Sequence, residues 1–215
     1  MEHPKNTETS IQIHVFTGGF TQTNGYAFKG PDGWIGVDAP EGFAAWLKSK
    51  NIRLSALLLS HAHFDHVVDA AELSSSHGCQ IYAWEKSTAE TRLEDFLLHM
   101  AGIRLAIDDY PVHVVLKGVE SITVCGLDFH LAHVPGHSPD SVVFFDKLHR
   151  QLFSGDTLMA GTMGRTDFPG GGTQLLISGI QTKLLPLGDD VIVWAGHGEA
   201  TTIGEERSWV ERGWF

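Results

Sequence analysis

The hexapeptide His61-Ala62-His63-Phe64-Asp65-His66 decides how this chain is read. Three imidazoles and a carboxylate within six residues are costly to bury, because each loses water and needs a polar partner. They follow directly on Leu54-Ser55-Ala56-Leu57-Leu58-Leu59-Ser60, a nearly continuous apolar run. Such a run predicts a strand buried on both faces. The hexapeptide then occupies the loop leaving the carboxyl end of that strand, where sheets with helical crossovers collect ligands. Histidine is the commonest metal ligand, and the chain holds 13 histidines in 215 residues.

Three further polar islands sit at the ends of predicted strands. Residues 134–139 carry His137, 153–157 carry Asp156 and 194–198 carry His197. A glycine precedes each of these residues: Gly136, Gly155 and Gly196. Glycine lets a strand turn sharply and lets backbone approach closely. Singly, each island reads as a capped turn. Together with His61, His63, Asp65 and His66 they supply five histidines and two aspartates. A catalytic tetrahedral ion takes three protein ligands and leaves one position for water. Seven candidates with one carboxylate able to bridge suit two ions roughly 3.5 Å apart better than one ion. His3, His14, His77, His99, His113, His130, His133 and His149 lack this context and read as surface or satisfied core groups. His133 is the exception to watch, four residues before His137.

Working outward, residues 11–38 read as strands with tight turns, and Gly30-Pro31-Asp32-Gly33 marks a hairpin. Phe43–Ser49 and 67–75 read as helices, and Gln80–Ala83 as the next strand. Leu93, Phe96, Leu97, Met100 and Ile103 recur at helical spacing and predict a core-facing helix over 85–102. Five strands are expected between 112 and 155, then a helix over 173–185 closed by Pro186, a strand over 190–194 and a helix over Ile203–Arg212. Each half runs strands first and a helix later, an order that permits two sheets face to face with helices outside.

Composition narrows the partners. Lys and Arg total 15 against 26 Asp and Glu, a formal charge of -11, which repels phosphate backbones and disfavours nucleic acid. The unbroken apolar run Ala56-Leu57-Leu58-Leu59, like every other in the chain, is far short of the ~20 residues of a membrane helix. Residues 1–10 are polar, without an apolar leader, so a cytoplasmic protein with one domain over 1–215 is expected. Cys79 and Cys125 read as reduced thiols.

The His-x-His-x-Asp-His run, followed by His137, Asp156 and His197, resembles the metallo-β-lactamase superfamily along the full length of the chain. The resemblance implies an α+β fold, a four-layer αββα sandwich. It implies one divalent metal ion on His61, His63 and His137, a second on Asp65, His66 and His197, and Asp156 bridging them. Zinc is the expected metal, with iron and manganese as alternatives. Residues 164–171 (Gly-Arg-Thr-Asp-Phe-Pro-Gly-Gly), 183–190, Gly196-His197-Gly198 and 201–207 look like the compact bacterial glyoxalase II-like hydrolases. These cleave glutathione thioesters such as S-lactoylglutathione. The implied chemistry is attack on the thioester carbonyl by a hydroxide shared between the ions, with Asp65, His66 and Asp156 carrying catalysis. A small-molecule thioester is the expected partner; oligomeric state is left open.

Arg165 is the candidate for gripping the carboxylates of glutathione, with Asp167 as a competing local partner. Asp38 reads either as an acceptor orienting a ligand histidine or as a turn carboxylate. Arg207 reads as structural. Ser60 stands where the family usually has Thr, and Asp140 where Gly is common; neither is expected to touch a ligand. The larger glyoxalase II enzymes carry an extra C-terminal helical domain for glutathione, which is expected to be lacking here. The main rival is a persulfide dioxygenase, which shares the fold and holds one iron with two His and one Asp, here His61, His137 and Asp156. The Pro169-Gly170-Gly171 continuation favours the hydrolases. A tRNA-processing nuclease would want a basic arm, and flavodiiron oxygen reduction would want Glu in place of His63.

Overall fold

In the computed structural model, which describes residues 11–104 and 106–213, two six-stranded sheets face each other. The first takes strands in chain order: β1 (Ile13–Gly18), β2 (Thr23–Gly30), β3 (Gly33–Val37), β4 (Leu54–Leu58), β5 (Gln80–Ala83) and β6 (Val114–Val115). β1 to β3 are antiparallel, and Gly30 pairs with Gly33 across the predicted hairpin. β3 to β6 run parallel. The second sheet holds β7 (Ser121–Val124), β8 (Leu127–His133), β9 (Val142–Asp146), β10 (Gln151–Gly155), β11 (Ile192–Ala195) and β12 (Thr201–Thr202). Only β10 and β11 are parallel there.

Period-2 alternation assigns the layers. Along β2, Tyr26 and Phe28 point between the sheets and meet Phe129, Phe144 and Phe153, with the Phe28 and Phe153 rings stacked 5.0 Å apart. Ala27 points the other way, into the layer of Phe43, Leu47 and Leu73. Those residues belong to α1 (Phe43–Ser49) and α3 (Ala70–His77). On the far side of the second sheet, α5 (Thr173–Gly179) and α6 (Ile203–Arg212) bring Leu176 and Val210 against Phe145, Leu152 and Val193. The result is the expected αββα sandwich. β4 is buried at every position except Ser55, as its apolar run requires.

Several elements differ from the sequence reading. The helix expected over 67–75 is split into α2 (Phe64–Val67) and α3. α5 ends at Gly179 and continues as a π turn over Ile180–Leu184 and a 3-10 turn over Leu185–Leu187, so Pro186 lies inside the last turn. The helix expected over 85–102 is α4 (Glu94–Ala101), and none of its residues is buried. Met100 is 72% exposed and Ile103 39%. Leu93, which is buried, precedes α4 with a left-handed backbone. The apolar stripe has no sheet beneath it, so it does not face the core. Cys79 and Cys125 are both free. Among the described residues no helix is long and apolar enough to cross a membrane. His3 and the segment 1–10 lie outside the described residues.

Candidate metal centre

The seven residues singled out in the sequence converge at one edge of the sandwich. His61 and His63 lie in the loop after β4, and Asp65 and His66 on α2. His137 lies between β8 and β9, Asp156 follows β10 and His197 follows β11. One possible ligand atom from each of His61, His63 and His137 falls within 4.8 Å of the others. The same holds for Asp65, His66 and His197, and for His61, His66 and Asp156. Asp156 stands between the first two groups. Its Oδ2 is 3.4 Å from Nε2 of both His137 and His197, and its Oδ1 is 3.4 Å from Nε2 of His66.

These atoms fit metal ions by a direct criterion. Nε2 of His61, His66 and His137 and Oδ1 of Asp156 are buried without any hydrogen-bond partner, a state that folded proteins avoid unless something else satisfies the atom. The opposite ring nitrogens are engaged. His66 Nδ1 donates to Asp38 Oδ2 at 2.9 Å, His137 Nδ1 to the Arg165 carbonyl at 2.8 Å and His197 Nδ1 to the Gln22 carbonyl at 3.3 Å. Ser60 Oγ donates to Asp38 Oδ2 at 2.8 Å, so its oxygen accepts from His61 Nδ1 at 3.0 Å. Each such bond fixes the tautomer and aims Nε2 at the centre. The nitrogen and oxygen donor set suits zinc, iron or manganese.

The two halves carry different charge. Burial, reinforced by neighbouring imidazoles, holds His61 and His63 well below the usual histidine range, and burial lowers His137 as well. Neutral imidazole is the form that binds metal. For His66, burial is outweighed by Asp65, Asp156 and Asp38, which push it well above that range. For His197, burial is outweighed by hydrogen bonds to Asp156 and Asp65, and it is pushed up to about 10. Burial would raise Asp65 and Asp156, but the cationic His66 drives both well below the carboxylate range.

Asp38 resolves to one of its two readings. It follows β3 directly with φ +57°, a conformation uncommon outside glycine and a pointer to a constrained position. It takes the Ser60 amide at 2.8 Å, the Ser60 hydroxyl and His66 Nδ1. The expectation that Ser60 touches no ligand is corrected, since Ser60 ends the run from β4 and turns its hydroxyl onto His61. Asp140 meets no ligand side chain. It is buried, and its carboxylate accepts from the Ser138 hydroxyl and the Ala62 amide, tying the loop of His61 and His63 to the loop of His137. Burial pushes Asp140 up to about 6.

Gly196 explains itself by space. A Cβ there would lie 2.1 Å from Asp156 Oδ1 and 2.6 Å from His66 Cε1. Sequence reasoning missed three polar residues of β2. Thr23 donates to Asp65 Oδ2 at 2.7 Å, Asn24 Nδ2 donates to the carbonyls of Ala195 and Gly198, and the Tyr26 hydroxyl donates to the Ala195 carbonyl. Their one signal is a polar Thr-Asn pair opening an otherwise buried strand.

Arg165 lies beside the centre, but its side chain is committed nearby. It pairs twice with Asp167, at 2.7 and 2.6 Å, and lies 4.5 Å over the Phe168 ring. His133 is outside the centre: it bonds the Pro139 carbonyl and stacks on Trp84. Arg207 is structural, holding Asp189 and the Leu185 carbonyl. A cavity of about 400 Å³ opens over His63, Asp65, His137, Asp156 and His197 and reaches Arg165.

Comparison with known proteins agrees with this geometry. The chain is 38% identical over 164 residues to hydroxyacylglutathione hydrolase GloC of Haemophilus influenzae, which covers 75% of this chain and 76% of that one. The fold superposes on the crystal structure of BLEG-1 B3 metallo-beta-lactamase with a TM-score of 0.81 and 33% identity, over 91% of this chain and 96% of that one. It superposes on TTHA1623 in a di-iron-bound form with a TM-score of 0.77 and 34% identity, over 91% and 97% of the two chains. The model of the metallo-beta-lactamase superfamily matches residues 18–197. The chain therefore belongs to the metallo-β-lactamase superfamily.

Proposed function

We propose that this protein is a dinuclear metal-dependent hydrolase of small-molecule thioesters, of the hydroxyacylglutathione hydrolase kind. The observation that carries the reading is the pair of three-ligand groups with Asp156 between them. The relative named as a hydroxyacylglutathione hydrolase and the neighbour in a di-iron-bound form support it. Two bound divalent ions would supply Lewis acidity and a water acidified enough to act as nucleophile near neutral pH.

The residues of the chain supply the rest. His61, His63 and His137 would hold one ion and Asp65, His66 and His197 the other. Asp38 and Ser60 keep the Nδ1 protons of His66 and His61 turned away from the reacting edge. The cavity over the centre would give the acyl group a place beside these residues. Hydrolysis makes one C–O bond from water and breaks the C–S bond. Sulfur leaves as a thiol and the acyl group as a carboxylate, with one proton released. A thiol of pKa about 8.5 leaves without a strong general acid, in keeping with the absence of a spare acid among the centre's motifs.

The test is metal content per chain in protein purified without added metal, with an assay on S-lactoylglutathione. About two ions per chain, with turnover abolished by chelation and restored by metal, is the expected result. One iron per chain, no hydrolysis, and oxygen uptake with glutathione persulfide would replace this reading with the dioxygenase one.

A further inference from the structure

The cavity over the centre is apolar to a degree that a lactoyl group does not use. One wall is built by Phe64, Leu93, Phe96, Leu97, Met159 and Phe168. The Phe168 ring packs edge-on against His63 at 5.1 Å and against Phe96 at 5.5 Å. The wall therefore runs from the ligand imidazoles out to α4 without a break. Phe20, 65% exposed, stacks on Phe64 at 5.7 Å and extends it to the mouth.

The polar side chains of the lining, the proposed metal ligands apart, are Thr21 and Arg165, and both are engaged. Thr21 Oγ1 bonds Thr23 Oγ1 at 2.9 Å, and Arg165 is paired with Asp167. Neither Thr21 nor Arg165 belongs to the wall of Phe64, Leu93, Phe96, Leu97, Met159 and Phe168, whose side chains offer a 2-hydroxyl on the acyl group no hydrogen-bond partner. An apolar chain removes apolar surface from water on both itself and the protein. α4 fits this use, since its apolar residues cover no core. A cavity of about 400 Å³ lies at the small end of ligand pockets, the size for an acyl group of roughly four to eight carbons rather than a long lipid chain.

We propose that the wall of α4, Phe64, Met159 and Phe168 is an acyl pocket that selects medium-length apolar acyl thioesters over lactoyl thioesters. The inference rests on the thioesterase reading. The test compares acetyl, butyryl, hexanoyl and D-lactoyl thioesters, each on glutathione and on N-acetylcysteamine, so that the acyl effect is read within one carrier. The expected result is a kcat/KM that rises about fourfold per added methylene up to hexanoyl on either carrier. Hexanoyl then exceeds lactoyl by tenfold or more. Leu97→Ser and Phe96→Ala are expected to cut hexanoyl turnover at least tenfold more than acetyl turnover. A readout independent of turnover is calorimetric: S-hexylglutathione should bind at least tenfold more tightly than S-methylglutathione. Turnover with a flat chain-length series overturns the acyl pocket and leaves the hydrolase standing. No turnover of any thioester by metal-loaded protein overturns the hydrolase, and the pocket with it.

Discussion

Asp38 gathers the Ser60 amide, the Ser60 hydroxyl and the His66 ring at one strand end. Removing it frees the ring whose Nε2 faces both Asp65 and Asp156. Asp38→Ala is expected to weaken metal binding at the Asp65, His66 and His197 group by about 10- to 100-fold, read by zinc titration against a competing chelator. Asp140 offers a sharper electrostatic test. Its carboxyl titrates near 6 in the fold, against 3.8 as a free side chain. Between those values the native state keeps a proton that the unfolded state has released, so stability falls as pH rises from about 4 to 6. The loss, complete above pH 6, is about 3 kcal/mol at 1.36 kcal/mol per unit. Relative to wild type, metal-free Asp140→Asn should therefore gain about that much between pH 4 and pH 8 in urea unfolding. A gap that does not change with pH refutes the burial of an ionisable carboxyl there. For Arg165, the bidentate pair with Asp167 and the cavity compete. Arg165→Ala is expected to raise KM for anionic thioesters about tenfold with little change in kcat, and an unchanged KM assigns the side chain to Asp167 alone.

At the scale of elements, the centre depends on how strands end. β10 and β11 run parallel and finish side by side, which delivers Asp156 and His197 to the same edge. The turn after β11 must pass Asp156 without a side chain of its own. Gly196→Ala places a methyl 2.1 Å from Asp156 Oδ1, so metal per chain should drop by at least one equivalent, read by elemental analysis, and turnover at least a hundredfold. Full metal content in this variant would mean that the loop yields freely. α4 shows the limit of periodicity. Its i, i+3, i+4 stripe describes an apolar face, and an apolar face borders a cavity as readily as a core.

Across the whole molecule the centre is shared by the two sheets. The first sheet's loops bring His61, His63, Asp65 and His66, and the second brings His137, Asp156 and His197. Each three-ligand group thus spans both sheets. Metal is expected to raise the unfolding temperature, with about 4 kcal/mol of added stability at a thousandfold excess over Kd. The charge difference between the groups sets a pH signature. His61, His63 and His137 are held neutral, whereas His66 is raised and His197 titrates near 10. Metal must displace protons from the second pair, so affinity there falls as pH drops. Calorimetry in two buffers near pH 7 is expected to show about one to two protons released for one ion and almost none for the other. Equal release at both would contradict the asymmetry.

Local chemistry determined much of this protein before any fold was seen. A His-x-His-x-Asp-His run behind an apolar strand, and His137, Asp156 and His197 behind glycines, are short-range patterns, and all seven residues converge. The hairpin at Gly30 to Gly33, α1 and α6 are equally local, set by turn residues and by spacing along the chain. Only tertiary pairing, within the first sheet as well as between the two sheets, decided the remainder. Thr23 reaches Asp65 across 42 residues, Asn24 reaches Ala195 across 171, and Ser60 meets His61 because Asp38 turns its hydroxyl. No spacing along the chain encodes those pairings, since they depend on which strand ends the sandwich brings together. The same holds for α4: its residues specify an apolar stripe, and whether that stripe meets a core or a cavity is decided by what the tertiary fold leaves beneath it.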